Sequence, residues 1–485
     1  MLHDRTLAAR FGVTPIDPDN FILDADSYKV SHYRQYPEGT EFVSSYVEAR
    51  KPNGKIDHTL FFGLQAELVK LQGVVVTQAM LDEAAPLLRG MGYEPHVAGW
   101  QHIIDLHGGR LPVLIEALVE GTLVPIGIPQ IRIVNTDPAV AWLPSYLETR
   151  LLRAVWYPTG VCSVSHYLVG KIREALIKTD GSDAGAEFKL HDFGARGASS
   201  KETAALGGLA HLVNSFGSDT VSALIPARNI YGADIAAYSI PATEHSTMTA
   251  LGLLGELRQM KRFLDAHPTG IIACVSDSYD LFRAIREYWG GALKEHILAR
   301  DGVLVVRPDS GDPVEIVPDV IEALMARFGY TMTAQGYRLL NPKVRVIQGD
   351  GINAESLVAI MDAMMARGLA IGNIAFGMGG ALLQKIDRDS FGYAMKASAI
   401  CIDGVWSDIY KDPVTAKGTK TSKRGIQGAM VNDSGRFVAR RAENIPAGAD
   451  ALTPVFRDGE ILRVSSLAEI RARAWPAVEA FALAA

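Results

Sequence analysis

A chain of 485 residues, 48% hydrophobic and 21% charged, is long enough for two or three domains and a large core, and its balance excludes disordered and fibrous classes. The formal net charge of −6 argues against a broad nucleic-acid or membrane surface, so an anionic ligand has to be held by placed residues in a local pocket. Cys162, Cys274 and Cys401 are widely spaced without a C-x-x-C pair, which supports neither a disulfide framework nor a zinc ribbon and points to a reducing compartment. The N-terminal stretch carries Asp4, Arg5 and Arg10, and the apolar run from Leu111 to Val134 is broken by Glu116, Glu120 and three prolines. Neither a secretory leader nor a membrane span is expected, and the expected location is cytoplasmic.

In chain order, Phe21 to Leu151 is rich in β-like and turn signals, and residues 1–150 are expected to form the first part of an α+β domain. Residues 151–402 are expected to form the central domain, because from about Ala186 short β-like runs alternate with amphipathic helices. The runs are Phe188 to Leu190, Ile271 to Val275, Val303 to Val306, Val344 to Ile347, Asn373 to Phe376 and Tyr393 to Ile400. The helix after Ser278 would bury Leu281, Phe282, Ile285, Tyr288, Trp289, Leu293 and Ile297 against the sheet; the one before Gly329 would bury Val320, Ile321, Leu324 and Phe328. Polar motifs follow the strands at His191 to Gly197, Ser276 to Asp280, Arg307 to Asp312, Gln348 to Gly351 and Gly377 to Gly380, the placement of catalytic loops on the C-terminal face of a (β/α) barrel. Residues 403–485 would return to the α+β domain as strands plus a short helix, with Asp458-Gly459 as a type I′ hairpin turn. Thr179 to Ala186 and Thr415 to Gln427 read as insertions or mobile connections, and Lys417, Lys420, Lys423 and Arg424 as solvated charge.

The segment His191-Asp192-Phe193-Gly194-Ala195-Arg196-Gly197-Ala198-Ser199-Ser200 offers a flat ring, a bidentate anion clamp and two glycines for close backbone approach. Ser199 with Glu202 forms an S-x-x-E capping box for the next helix, whose free N–H groups would face the loop. An aromatic base and a phosphate fit such a cast.

That segment, with Ala25-Asp26-Ser27-Tyr28-Lys29-Val30, Pro241-Ala242-Thr243-Glu244-His245-Ser246-Thr247, Ser276-Asp277-Ser278-Tyr279-Asp280, Arg307-Pro308-Asp309-Ser310-Gly311, Gln348-Gly349-Asp350-Gly351, Phe376-Gly377-Met378-Gly379-Gly380 and Lys411-Asp412-Pro413-Val414, resembles the nicotinamide phosphoribosyltransferases in collinear order over nearly the whole chain. These belong to the nicotinate/nicotinamide phosphoribosyltransferase family with the type II phosphoribosyltransferase fold. The resemblance implies an α/β protein with an irregular (β/α) barrel flanked by a mixed α+β domain built from both chain ends. It implies formation of nicotinamide mononucleotide and diphosphate from nicotinamide and phosphoribosyl pyrophosphate in NAD salvage, coupled to ATP through a phosphohistidine, with Mg²⁺ carried by the phosphates. It also implies a homodimer with shared active sites, and neither nucleic acid nor membrane as partner.

The resemblance assigns roles by position. Phe193 and, from the second subunit, Tyr28 sandwich the base, and Asp219 accepts from the carboxamide. Arg196 and Arg307 contact phosphate and product, with Arg388 and Lys396 extending the cationic side and Arg50 adding a phosphate contact. Asp309, Gly349, Asp350 and Gly380 receive ribose and nucleotide phosphate. His245 takes the phosphoryl group and Asp277 orients it. A nicotinate carboxylate near 4 Å from Asp219 would cost on the order of 4 kcal/mol at an effective dielectric of about 20, roughly a thousandfold discrimination. Ala273 stands where the family has a serine near the amide. Taken alone, His245 reads as a structural hydrogen-bonding group, Asp219 as a turn residue and each arginine as half of a surface ion pair. Glu244-His245 lacks the second histidine of H-E-x-x-H, and no all-protein metal site is expected. The competing enzyme reading is a nicotinate phosphoribosyltransferase; the competing reading of another class is a non-catalytic ligand-binding or signalling protein on the same fold.

Overall fold

The computed structural model describes residues 5–416 and 421–476, so Lys417 and Lys420 of the basic run lie outside the described residues. Two units divide the chain: residues 1–160 with 387–485, and residues 161–386.

In the central unit six parallel strands lie in the order β2-β1-β6-β5-β4-β3. They are β1 Leu190–Asp192, β2 Gly217–Ser218, β3 Thr269–Val275, β4 Asp301–Arg307, β5 Val344–Gln348 and β6 Ile374–Met378. The two edges are joined by an irregular segment, because Tyr238 bridges Gly217 of β2 and Ala242 bridges Ala273 of β3. This makes the barrel irregular. Its inside is small and apolar, with Ala273, Val305 and Ile347 packed under the partly buried Phe193, Ile240, Val303 and Ala375. The helix Pro313–Phe328 covers the sheet with the expected Val320, Ile321, Leu324 and Phe328. The helix after Ser278 departs from a plain α-helix: Ala284–Ala292 is a π-helix, and Phe282 and Tyr288 stay only partly buried. Gly290 allows that register, since its carbonyl accepts from Arg327 Nε at 2.9 Å and a Cβ there would lie 2.5 Å from the Arg327 side chain. The expected mobile connection after Thr179 is tied down, with Thr179 Oγ1 accepting from the Ile371 amide at 3.1 Å and Asp180 from that of Gly372.

The other unit is an antiparallel seven-stranded sheet. Its strands run Val405–Asp408, Ala394–Ile402, Thr40–Glu48, Pro129–Asn135, Val113–Ala117, Thr453–Arg457 and Glu460–Ile461, so both chain ends build it. Two expectations are corrected here. The run Tyr393 to Ile400 is not a barrel strand, for Ala394–Ile402 pairs antiparallel with Thr40–Glu48. The units also part at 160/161 and 386/387, not at 150/151 and 402/403. The N-terminal stretch holds more helix than its β-like composition suggested, at Leu64–Leu71, Gln78–Gly90 and Val97–His107. Buried Arg132 clasps the returning segment, with Nε on Glu116 at 2.6 Å and Nη1 on Asp450 at 3.0 Å and on the Gln427 carbonyl at 2.7 Å. Asp458 and Gly459 both have positive φ, 49° and 85°, as the I′ turn requires. No helix among the described residues is long and apolar enough to cross a membrane.

Candidate active site

Strand register decides what faces the barrel mouth. Asp192 lies opposite Ser218 across β1 and β2, and Ser218 Oγ donates to Asp192 Oδ2 at 3.4 Å, on the side where helix Lys201–His211 packs through Gly208. Phe193 and Asp219 follow directly after these strand ends, each one residue beyond the pair Asp192–Ser218. Asp192 also shapes the loop: its Oδ1 accepts the Gly194 amide at 2.7 Å, and burial pushes its carboxyl above the usual carboxylate range. Sequence reading left it without a role, although Asp-x-Gly is an Asx-turn signal. The helix cap is corrected as well, since Ser200, not Ser199, accepts from the Thr203 amide, while the Ser199 amide donates to Gln384.

The Phe193 ring packs against glycine backbone. A Cβ at Gly377 would stand 2.0 Å from the ring, so that position excludes a side chain while the ring stays in place; one at Gly349 would stand 3.2 Å away, a tight contact. Ala273 belongs to the apolar layer beneath the ring. The Arg307 guanidinium carbon is 5.8 Å from the ring centroid, within cation–π range. Its Nε and Nη2 both reach Asp309 Oδ1, at 3.0 and 2.6 Å. Arg196 is exposed on the turn Ala195–Gly197 and pairs with no carboxylate among the described residues; Gly197 packs that turn on Gly380, whose own side-chain direction is open. Exposed Asp219 accepts from Ser239 Oγ at 2.5 Å through Oδ1. Asp350 is exposed beside Gly349, and its carbonyl accepts from Gln348 Nε2 at 2.8 Å.

His245 opens a single-turn helix, His245–Met248, just past the segment that closes the barrel. Its ring is 48% exposed, whereas the Asp277 side chain is 4% exposed. His245 Nε2 and Asp277 Oδ1 are 3.1 Å apart; Asp277 Oδ2 accepts from the Asp309 amide at 3.0 Å and from Ser310 Oγ at 2.5 Å. Both oxygens of Asp277 are therefore engaged, which anchors it behind the imidazole. With the proton on Nε2, Nδ1 carries the lone pair and stands 3.8 Å from Asp309 Oδ2. Glu244 takes no part, since it accepts from Ser246.

The remaining assigned residues lie in the unit built from the chain ends. Tyr28, on the turn Ser27–Arg34, is 51% exposed, with the buried Lys29 ammonium 5.1 Å from its centroid and Lys29 paired to Glu148. Lys396 is depressed below the usual lysine range by burial, with Arg50, Lys29 and Lys411 adding to the effect against the pull of Glu148. These cations thus share one neighbourhood. Arg50 is oriented by Nε donating to the Gly392 carbonyl at 2.8 Å. Arg388 pairs instead with its neighbour Asp389. Two members of the basic run are also engaged: Lys423 pairs with buried Glu48, so solvated charge does not describe it, while exposed Arg424 lies 3.6 Å over the Tyr410 ring.

A family model described as the nicotinate phosphoribosyltransferase (NAPRTase) family matches residues 188–457, and one for the nicotinamide phosphoribosyltransferase N-terminal domain matches residues 20–115. A nicotinamide phosphoribosyltransferase of Xanthomonas campestris pv. campestris is 48% identical over 465 residues, covering 94% of this chain and 98% of the relative. One of Acinetobacter baylyi is 33% identical over 507 residues, covering 96% and 98%. Human nicotinic acid phosphoribosyltransferase superposes with a TM-score of 0.60 at 18% identity over 93% of each chain, and nicotinate-nucleotide pyrophosphorylase from Pyrococcus furiosus with 0.60 at 15% over 98% of each; both share the fold. With one family model spanning more than half of its length and a relative nearly half identical end to end, the chain belongs to the nicotinate phosphoribosyltransferase (NAPRTase) family.

Proposed function

We propose that this chain is a nicotinamide phosphoribosyltransferase, joining nicotinamide to phosphoribosyl pyrophosphate to give nicotinamide mononucleotide and diphosphate in NAD salvage, in the cytoplasm. The observation that carries the reading is that Phe193 and Asp219 directly follow two adjacent paired strands, so that a ring packed on glycine backbone and an exposed carboxylate lie at neighbouring strand ends. The names of the 48% and 33% identical relatives support it. Nicotinamide's ring nitrogen attacks ribose C1 as the C1–O bond to diphosphate breaks, and no covalent sugar intermediate is required. Phe193 holds the base, Asp219 accepts from its amide N–H, and Asp309, Gly349, Asp350 and Gly380 receive ribose and phosphate. Arg196 and Arg307 of the central unit balance phosphate charge, and the resemblance assigns phosphate contacts to Arg388, Arg50 and Lys396 as well. A nicotinate carboxylate facing Asp219 would meet like charge, which disfavours the nicotinate reading.

ATP coupling rests on the His245–Asp277 geometry. His245 Nδ1 attacks the γ-phosphorus, the bond to ADP oxygen breaks, and Nε2–H stays on Asp277 as positive charge spreads over the ring. Asp277 has both oxygens engaged, whereas Asp309 keeps Oδ2 toward His245, so Asp309 is the carboxylate that would meet Mg²⁺ bound to phosphate. The half-exposed Tyr28 ring supports a base sandwich completed by a second subunit, hence a homodimer. The test is mononucleotide formation from nicotinamide and from nicotinate, each with and without ATP. Preference for nicotinate, or indifference to ATP, overturns the corresponding part of the reading.

A further inference from the structure

Remote from any role assigned above, helix Val97–His107 carries two histidines whose Nε2 atoms converge on a single carboxylate oxygen. His102 Nε2 is 2.7 Å and His107 Nε2 2.6 Å from Asp137 Oδ2. At five residues' separation the two side chains leave the helix about 140° apart, so they straddle Asp137. The helix cannot rotate to relax this. Trp100 and Ile103 are buried, and Trp100 sits edge-on to Trp142 and Tyr146 with centroids 4.7 and 5.0 Å away. Asp137 is equally held: its Oδ1 accepts the Ala139 amide at 2.9 Å, and its carbonyl accepts from Asn135 Nδ2 at 2.8 Å. One lone-pair-bearing oxygen and two imidazole nitrogens thus lie within 4.8 Å of one another on a preorganised frame.

We propose that His102, His107 and Asp137 form a binding site for a divalent transition-metal ion, zinc above all. Two imidazoles and one carboxylate are a ligand set zinc takes readily, whereas magnesium and calcium prefer oxygen alone. In a tetrahedron with bonds of about 2.0–2.1 Å the ligand atoms stand roughly 3.3 Å apart, so from contacts of 2.7 and 2.6 Å each ring has to retreat from Asp137 by about 0.6–0.7 Å. The rings are 27% and 26% exposed, which leaves an approach for the ion and for a water as fourth ligand. The ion would replace two N–H···O contacts by three metal–ligand bonds and fasten the C-terminus of the helix to the turn after strand Pro129–Asn135.

The site is tested on the full chain after dialysis against a chelator, titrated with Zn²⁺ alone and with Co²⁺ alone. One equivalent of Zn²⁺ per chain, a tetrahedral Co²⁺ absorption band, and at least a tenfold loss of affinity in His102→Asn and in His107→Asn are expected. Should the variants fold poorly, peptide-resolved carbethoxylation of the wild-type protein decides: Zn²⁺ should shield His102 and His107 while His58, on the same unit, reacts unchanged. Equal Zn²⁺ uptake by wild type and both variants, no uptake, or no shielding overturns the proposal and leaves the cluster a hydrogen-bonded pin.

Discussion

Two histidine–carboxylate clusters sit in the two units of this chain, and they are built in opposite senses. At the barrel mouth the carboxylate is the buried partner: Asp277 is 4% exposed, with Oδ2 held by the Asp309 amide and Ser310, while His245 stands half in solvent. In the other unit one carboxylate oxygen serves two histidines, and all three groups are partly covered to a similar degree. A fixed anion behind an accessible imidazole prepares a nucleophile. Two imidazoles on one oxygen prepare a grip. On the two proposals, the same residue types would serve reaction or attachment according to which partner the fold buries.

The sharpest way to break the comparison is to remove the barrel histidine. His245→Ala is expected to abolish ATP hydrolysis and acid-labile labelling from γ-labelled ATP, leaving a slow ATP-independent transferase; Asp277→Asn should lower labelling by on the order of 10²-fold through a misoriented ring. Normal hydrolysis by His245→Ala would return that residue to a structural role. His102→Asn, by contrast, should leave both readouts intact.

A smaller effect is expected from Gly377→Ala, whose new Cβ would stand 2.0 Å from Phe193. Displacing a packed ring costs about 1–3 kcal/mol, so KM for nicotinamide should rise by about tenfold or more with little change in kcat. An unchanged KM would mean that the ring does not bear the base.

Asp219→Asn should relax discrimination against nicotinate. The thousandfold figure, set at an effective dielectric of about 20, is an upper bound here, because Asp219 is exposed and water screens it further. About a tenfold fall in the kcat/KM ratio of the two bases is expected, and an unchanged ratio removes Asp219 from the specificity role.

The smallest effect concerns pH. Burial and neighbouring cations hold Lys396 below the ordinary 10.5, so it loses its proton sooner than a free lysine as pH rises. Diphosphate binding should weaken by a few-fold on the alkaline side, below pH 10.5, and Lys396→Arg should abolish that limb, since arginine stays charged. A limb that persists in Lys396→Arg assigns it to another group.

Much of the barrel was legible because short β-like apolar runs followed by Gly, Asp and Arg mark strand ends whatever their partners. The misplaced strand Ala394–Ile402 has the same local signature, and only pairing with Thr40–Glu48 distinguishes it. The π-helix at Ala284–Ala292 was hidden for a similar reason, since it arises from Arg327 docking on the Gly290 carbonyl, a contact 37 residues away. The loop chemistry of Phe193, His245 and Asp277 was readable as residue types in motifs. The engagement of Lys423 by Glu48, and of Ser200 as the cap in place of Ser199, required coordinates.

By itself the sequence determined the family, the alternating strands and helices of the centre, and the residue types at the barrel mouth, because these depend on local pattern and on motifs a few residues long. The tertiary structure alone decided that residues 387–402 join the chain ends, that Asp277 is buried while His245 stands half in solvent, and that His102 and His107 meet Asp137. Each of those depends on groups that neither helical nor strand periodicity places side by side, brought together only when distant elements bury their apolar faces and carry the polar groups with them.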